Sequence, residues 1–413
     1  MPDRESAPAK LDAKKAFGWV SYDFANTIFS MTISSFAIPL YLNRLTGRDI
    51  FTGIGNSVSQ LLAAFLGPAA GAVADKTGKC ATYVKWSTGA CVLFTALLAV
   101  NASVPWILCL YILANLTYNV ALPFYNALLR LIAPANRRGF LSGFGVAAGF
   151  IGAAVAMLIL PPIYRRAGYP AGFATTAGLF LLFALPAFLW LKDARGARPT
   201  SWVSAIGGVR DSLKTWAKLP GLGSFRNFLI ARFLYEEATN TVIVFMSVLA
   251  VNYAGLKDSQ VPIVFQVLIG MTVAGSIVSA AVVDRVGALR VVFAVLILWI
   301  VSMVLALLTH GTAAFLVFGS LAGVALGALS SADRPLLIQL TPPQKTAEYF
   351  GFHALSGKLS ASFGPLLFGF LADSYGYRAG IASLIVFFVV ALAALAFVRV
   401  PAGSAAVRAQ ARD

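Results

Sequence analysis

Histidine and cysteine are scarce in this chain: two and three residues, respectively, among 413. Cys91 and Cys109 fall in apolar stretches and Cys80 in a basic loop, so no disulfide framework follows. His310 and His353 have no companions at metal-ligand spacing, and no nucleotide-binding loop occurs. A metal centre, a cofactor site and an enzymatic constellation are therefore not expected. Charge is also sparse. Charged residues make up 12% of the chain against 59% hydrophobic, a balance that excludes a soluble globular protein of this size. Acidic residues number 16 against 32 basic ones, a net charge of +16. In a soluble protein that excess would suggest nucleic acid. Here the basic residues sit in short loops between apolar runs, so the lipid bilayer is the expected partner and nucleic acid is not.

What is present is a series of apolar runs. Twelve can be marked, near 17–42, 51–74, 81–101, 105–132, 140–163, 170–191, 227–254, 261–283, 289–309, 312–335, 348–372 and 378–398. Each is long enough for a membrane helix. The expected fold class is an all-α integral membrane protein with twelve transmembrane helices in two pseudo-symmetric halves. An even number places both ends on one side, where the tails and loops hold 24 Lys and Arg against 6 opposite. The positive-inside rule then puts both termini in the cytoplasm. The charged tail before Lys15 argues for a retained first helix and against a cleaved leader.

The longest break divides the chain into 1–191, a linker at 192–226, and 227–413. In the linker Trp202, Ile206, Val209, Leu213 and Trp216 recur at steps of three and four, which predicts a helix lying along the cytoplasmic membrane surface.

The halves repeat one another. The phrase Tyr22-Asp23-Phe24-Ala25-Asn26-Thr27 returns inside an apolar run as Tyr235-Glu236-Glu237-Ala238-Thr239-Asn240-Thr241. In the first copy Asp23, Asn26/Thr27, Ser30 and Ser34 form one polar stripe on one helix face. Segment four carries a second stripe: Asn115, Tyr118/Asn119 and Tyr125/Asn126. At a shift of 208, Asn126 to Pro134 overlies Arg334 to Pro342, Gly143-Phe144 falls on Gly351-Phe352, and Gly149 falls on Gly357. Two parallel repeats about a linker are the plan of a parallel-repeat secondary transporter.

The loop Gly71-x-x-x-Asp75-Lys76-x-Gly78-Lys79 resembles the cytoplasmic motif of the major facilitator superfamily, with Cys80 in place of a last basic residue. It returns as Asp284-Arg285-x-Gly287-x-x-Arg290, with Ala280 where the leading glycine belongs. Trp19-x-x-Tyr22-Asp23-Phe24-Ala25-Asn26, Phe124 to Leu129, and Tyr349-Phe350-Gly351-Phe352 through Ser356-Gly357-Lys358 to Gly364-Pro365 are similar to the vacuolar amino-acid effluxer-like branch. That branch is known from fungal vacuoles and has many bacterial relatives. The resemblance implies a monomeric, multi-pass transporter of a bacterial inner membrane, with no cofactor. The glycine run ending in Gly-Pro that marks many drug antiporters is not met: Gly145, Gly149 and Gly152 lack the proline.

The expected function is alternating-access transport of a small polar or zwitterionic metabolite, such as an amino acid, coupled to protons. Segments one, four, seven and ten are expected to line the path. Acids inside membrane helices mark proton relays, which singles out Asp23, Glu236 and Glu237. Arg232 stands one turn before Glu236 and predicts an ion pair, leaving Glu237 the freer of the two. Tyr22, Asn26, Asn119, Tyr125, Asn126 and Asn240 are candidate solute contacts, and Arg334 and Lys358 candidate partners for a solute carboxylate. Lys358 itself needs a counter-charge, for which Asp333 or an acid of segment seven would serve. Asp75, Lys76, Asp284 and Arg285 are assigned to gating at helix ends. The rival readings are an exporter of larger amphiphiles and a membrane assembly factor without transport activity.

The charge count generates a topology prediction. In a cysteine-free background, Arg210→Cys should resist a membrane-impermeant thiol reagent applied from outside, and Arg166→Cys should react. The reverse pattern would overturn the orientation.

Overall fold

The computed structural model describes residues 11–46, 50–100, 103–194, 207, 210, 214–215, 223–256, 261–360 and 364–400, and among these the only regular structure is helical. The elements are α1 (Ala13–Phe29), α2 (Ile38–Thr46), α3 (Ile50–Thr77), α4 (Cys80–Leu97), α5 (Val104–Ile132), α6 (Arg138–Arg166) and α7 (Gly168–Trp190). After the linker come α8 (Gly223–Val248), α9 (Val261–Val286), α10 (Ala288–Leu308), α11 (Thr312–Leu340), α12 (Thr346–Ser360), α13 (Gly364–Tyr375) and α14 (Tyr377–Ala396). The expected amphipathic linker helix lies almost wholly outside the described residues.

Among the described residues nine helical stretches are long and apolar enough to cross a membrane. Three further apolar segments of the sequence are helical as well. α4 is short for a span at 18 residues. α8 carries Arg226, Arg232, Glu236 and Glu237, and the segment near 348–372 is divided between α12 and α13. Apolar sequence becomes helix here because a backbone in hydrocarbon must satisfy its own hydrogen bonds. The first helix opens on a cap: Asp12 accepts hydrogen bonds from the amides of Lys14 and Lys15 at 3.0 and 3.3 Å. The first helix of each half also widens into π-helix, at Ser30–Ala37 between α1 and α2 and at Leu249–Tyr253 after α8. Such turns are rare and tend to occur at functional sites.

The chain forms two compact units. The first comprises residues 1–134, 148–214 and 342–355. In it α1 packs on α7, and α5 on α3 and α4. Its core is aromatic: Trp19 and Tyr125 stack with centroids 4.7 Å apart, and Tyr22 lies 4.6 Å from Tyr125. The second comprises 135–147, 215–341 and 356–413. There α11 packs on α9 and α10, and α14 on α8, α10 and α13. Trp299 stacks on Phe388 at 5.1 Å in this unit.

Sequence order alone divides the chain at its linker; the units add an exchange. Residues 135–147 join the second unit and 342–355 the first. Each exchanged stretch opens with a 3-10 turn, Ala135–Arg137 and Pro343–Lys345, one repeat of 208 residues apart. Small residues allow the close packing. A Cβ on Gly71 would sit 2.2 Å from the carbonyl oxygen of Ala347, inside the first unit. In the second unit Ala280 replaces that glycine, and the space comes from the opposite helix: a Cβ on Gly143 would lie 2.3 Å from that of Ala280.

This predicts unequal responses to one substitution. Gly71→Ala forces a backbone shift and should destabilise by about 1–3 kcal/mol. Gly89→Ala, with nothing within 4 Å of its added carbon, should be neutral or stabilising by up to about 1 kcal/mol. Thermal unfolding of the purified protein in detergent checks both.

Candidate functional site

In the first unit the polar stripe of α1 is tied along the helix. Asp23 is buried and accepts from Asn26 Nδ2 at 3.3 Å. Thr27 Oγ1 donates to the Asp23 carbonyl at 2.8 Å, and Ser30 Oγ to the Thr27 carbonyl at 3.2 Å. On α5, Asn115 Nδ2 donates to Ser59 Oγ at 2.7 Å and to Asn56 Oδ1 at 3.4 Å. Asn119 Nδ2 in turn donates to the Asn115 carbonyl at 2.6 Å.

Where the stripes of α1 and α5 face α3, a cleft of about 450 Å³ opens. Three serines of the π-helical stretch line it (Ser30, Ser34 and Ser35), with Asn56 and Gln60 from α3 and Asn115 and Tyr118 from α5. Ser30, Ser34, Asn115 and Tyr118 lie on the polar stripes expected from sequence; Ser35 is not among the expected residues, nor are Asn56 and Gln60 of α3. The signal for those two was their i, i+4 spacing inside the second apolar run.

The expected solute contacts Tyr22, Asn26, Asn119, Tyr125 and Asn126 are not on this lining. Tyr22 OH shares a 2.6 Å hydrogen bond with Thr88 Oγ1. Tyr125 OH donates to the Trp19 carbonyl at 2.8 Å, and Trp19 Nε1 donates to the Tyr125 carbonyl at 3.2 Å. These two phenols join α1 to its neighbours. Asn126 is half-buried on the same helix, and its Oδ1 is buried without a hydrogen bond among the described residues.

The second unit holds a buried charge cluster. Arg232 donates from Nη2 to Glu236 Oε1 and from Nε to Asp333 Oδ2, both at 3.1 Å. Tyr235 OH donates to the other oxygen of Asp333. Asn240 Nδ2 reaches Glu236 Oε2 at 3.5 Å. A Cβ on Gly357 would lie 2.7 Å from Arg232 Nη1, so the glycine admits the guanidinium against α12.

The Arg232–Glu236 pair matches its i, i+4 spacing. Asp333 serves Arg232 and Tyr235. Glu237 is fully buried and accepts the backbone N–H of Gly364, the first residue of α13. That donor is a main-chain group, which the side-chain sequence does not display. Arg334 is half-buried beside Asp333. Lys358 belongs to α12 by its backbone, and its side chain lies outside the described residues.

The two motif aspartates do the same thing in different units. In the first, Asp75 Oδ1 and Oδ2 accept from the amides of Ala347 and Glu348 at 2.9 and 2.8 Å. In the second, Asp284 Oδ1 and Oδ2 accept from Gly139 and Phe140, both at 2.7 Å. Each carboxylate thus caps the N-terminus of an exchanged helix, where unsatisfied amides and the positive dipole end favour an anion. Lys76 and Arg285 are exposed. A third cap was not read from sequence: Asp193 accepts from Thr82 N at 2.9 Å and Thr82 Oγ1 at 2.5 Å, at the start of α4. Among the described residues no group of three metal-ligating side chains occurs.

Residues 133–408 match the family described as "Vacuole effluxer Atg22 like". The chain belongs to this family. An uncharacterized MFS-type transporter, YxiO, of Bacillus subtilis is 25% identical over 94% of this chain and 96% of its own length. The multidrug resistance protein MdtG of Dickeya zeae is 22% identical over 91% of each chain. Among solved structures, the major facilitator superfamily transporter FucP in its outward conformation aligns with a TM-score of 0.76. That alignment has 14% identity and covers 94% of this chain and 98% of FucP. This Atg22-like chain is a multi-pass membrane transporter with the major facilitator fold.

The charge cluster generates a stability prediction. Arg232→Met leaves the buried Asp333 and the half-buried Glu236 without their shared cation and should cost about 3–5 kcal/mol. The triple change Arg232→Met, Glu236→Gln, Asp333→Asn should recover most of that loss. Glu236→Gln alone should cost less than Asp333→Asn, because Arg232 keeps one acid in the first case, whereas the second also strands Tyr235. Thermal unfolding followed by size-exclusion chromatography ranks the four variants.

Proposed function

We propose that the chain is a proton-coupled secondary transporter that moves a small polar or zwitterionic metabolite by alternating access. The observation that carries this reading is a pairing within one fold: an uncharged polar cleft beside α1, and buried acids on the first helix of each repeat. Membership of an effluxer family supports transport and makes an amino acid the first finer class to examine. The rival, export of larger amphiphiles, draws on the MdtG relative. The cleft lining of hydroxyl and amide groups favours the smaller polar solute.

In this reading Asp23 and Glu237 take up and release the proton, and Glu236 is held by Arg232. Asn26, Asn119, Asn126 and Asn240 offer neutral hydrogen bonds along the path, with Arg334 or Lys358 for a solute carboxylate. Tyr22 and Tyr125 hold the wall that the solute passes. Asp75 and Asp284, with Lys76 and Arg285 beside them, stabilise one conformation through their helix caps. In the same reading the termini lie in the cytoplasm and the protein works as a monomer in a bacterial inner membrane.

Reconstitution in proteoliposomes under an imposed pH gradient, with a panel of labelled metabolites that includes amino acids, tests the reading. Asp23→Asn should abolish pH-driven accumulation and preserve counterflow exchange, which requires no net proton movement. Full accumulation by both Asp23→Asn and Glu237→Gln rules these acids out as proton carriers.

Asp75→Asn keeps the side-chain shape and removes the charge at the helix end, a loss of about 1–2 kcal/mol from one state. The balance of conformations should then move by about five- to thirty-fold, slowing transport while equilibrium binding of solute stays near wild type. Loss of binding with unchanged cycling would assign Asp75 to the ligand instead.

A further inference from the structure

The lining of the first-unit cleft has a composition with consequences. All seven side chains are polar, and none is charged: three serines, two asparagines, a glutamine and a tyrosine. Asp23 belongs to the same stripe but lies seven residues before Ser30, roughly 10 Å along the helix, and is not on the lining. Two of the lining groups are fixed by neighbours. Asn115 is fixed by Ser59 and Asn56, and the Ser35 hydroxyl donates to the Ser30 carbonyl at 3.2 Å.

Three kinds of occupant can be weighed against that wall. An ammonium or carboxylate leaving water for this cleft gives up its hydration and meets no opposite charge there, a loss that neutral hydrogen bonds do not repay. An apolar chain loses nothing itself but strips water from the lining and leaves amides and hydroxyls unpaired. Hydroxyls and carboxamides both donate and accept, as do the lining groups, so their water bonds are exchanged nearly one for one. A site built to hydrogen-bond such groups discriminates steeply against analogues that lack them. The volume of about 450 Å³ lies in the lower half of the usual range for small-molecule clefts, roughly 300–1,000 Å³.

We infer that this cleft receives an uncharged, multiply hydrogen-bonding portion of the solute, presented as hydroxyl or carboxamide groups. The inference rests on the transport reading above and narrows its solute class. Polyols and sugars satisfy it throughout. Among amino acids it selects those with hydroxyl or amide side chains, whose charged ends then lie outside the cleft.

Equilibrium binding to the purified full-length protein in detergent tests this separately from proton-driven accumulation. The probes are myo-inositol, D-glucose, L-serine and L-glutamine, with L-glutamate and L-methionine as charged and apolar counterparts of glutamine. At least one hydroxyl or carboxamide probe should bind saturably, and at least about tenfold more tightly than glutamate or methionine. Gln60→Ala and Ser35→Ala should each weaken that probe by about fivefold or more, with thermal unfolding used to confirm that each variant is folded.

The inference is overturned if none of the four hydroxyl or carboxamide probes binds. It is equally overturned if glutamate or methionine binds as tightly, or if both folded variants bind as wild type does. Selective binding without pH-driven accumulation would remove the proton-coupled reading and leave this inference standing. Accumulation of a solute with only charged or apolar groups would do the opposite.

Discussion

A carboxylate on the first turn of a helix is the interaction on which both units depend. Asp75 and Asp284 each spend both oxygens on two consecutive backbone amides. Those amides belong to helices that the sequence assigns to the opposite half. The bond is charge-assisted at both oxygens, and it sits where a helix has no internal acceptor to offer. Close packing beside it requires small residues: Gly71 on one side, Gly143 on the other. The exchanged stretches 135–147 and 342–355 owe their place to this combination of an acid and a missing side chain.

The second constraint is the cost of charge inside an apolar helix. α8 carries Arg232, Glu236 and Glu237 within two turns, and each is provided for. Arg232 is shared by two acids, and Glu237 takes a helix N-terminus. In the first unit Asp23 accepts from the amide of its own neighbour Asn26. The two repeats therefore share a position for acidic residues, and both an ion pair and a neighbouring amide are among the contacts used there. A pairwise ion cluster is rigid and geometrically demanding, whereas an amide one turn away is a weaker and more adaptable partner.

Much of the fold was legible because a membrane imposes a simple code. Long apolar runs become helices, and the 208-residue repeat reappears in the placement of the two 3-10 turns. The departure at Ala280 was legible too, but its compensation at Gly143 was not, since that contact joins residues more than a hundred positions apart. Within the site, the stripes of α1 and α5 announced themselves as polar residues at helical spacing. Asn56 and Gln60 carry the same spacing, but Ser57 and Ser59 spread polarity around that helix and blur its face. The partner of Glu237 was beyond reach for a different reason: a backbone amide has no letter of its own. Asp333 or an acid of segment seven is the counter-charge that the sequence offers Lys358; that Asp333 also holds Arg232, on the helix that opens the second repeat, joins residues 101 positions apart.

The exchange also has a consequence for biosynthesis. The amides that cap Asp75 lie 272 and 273 residues downstream of it. At translation rates of about 5–20 residues per second, the carboxylate waits roughly 15–55 seconds for the residues that satisfy it. Asp284, by contrast, emerges 145 residues after Gly139, so its helix end is already made when the acid arrives. The second unit can therefore close its cap as soon as α9 is inserted, while the first unit stays incomplete until the start of α12 has left the ribosome. Although it comes first in the chain, the first unit is the one that completes its cap last.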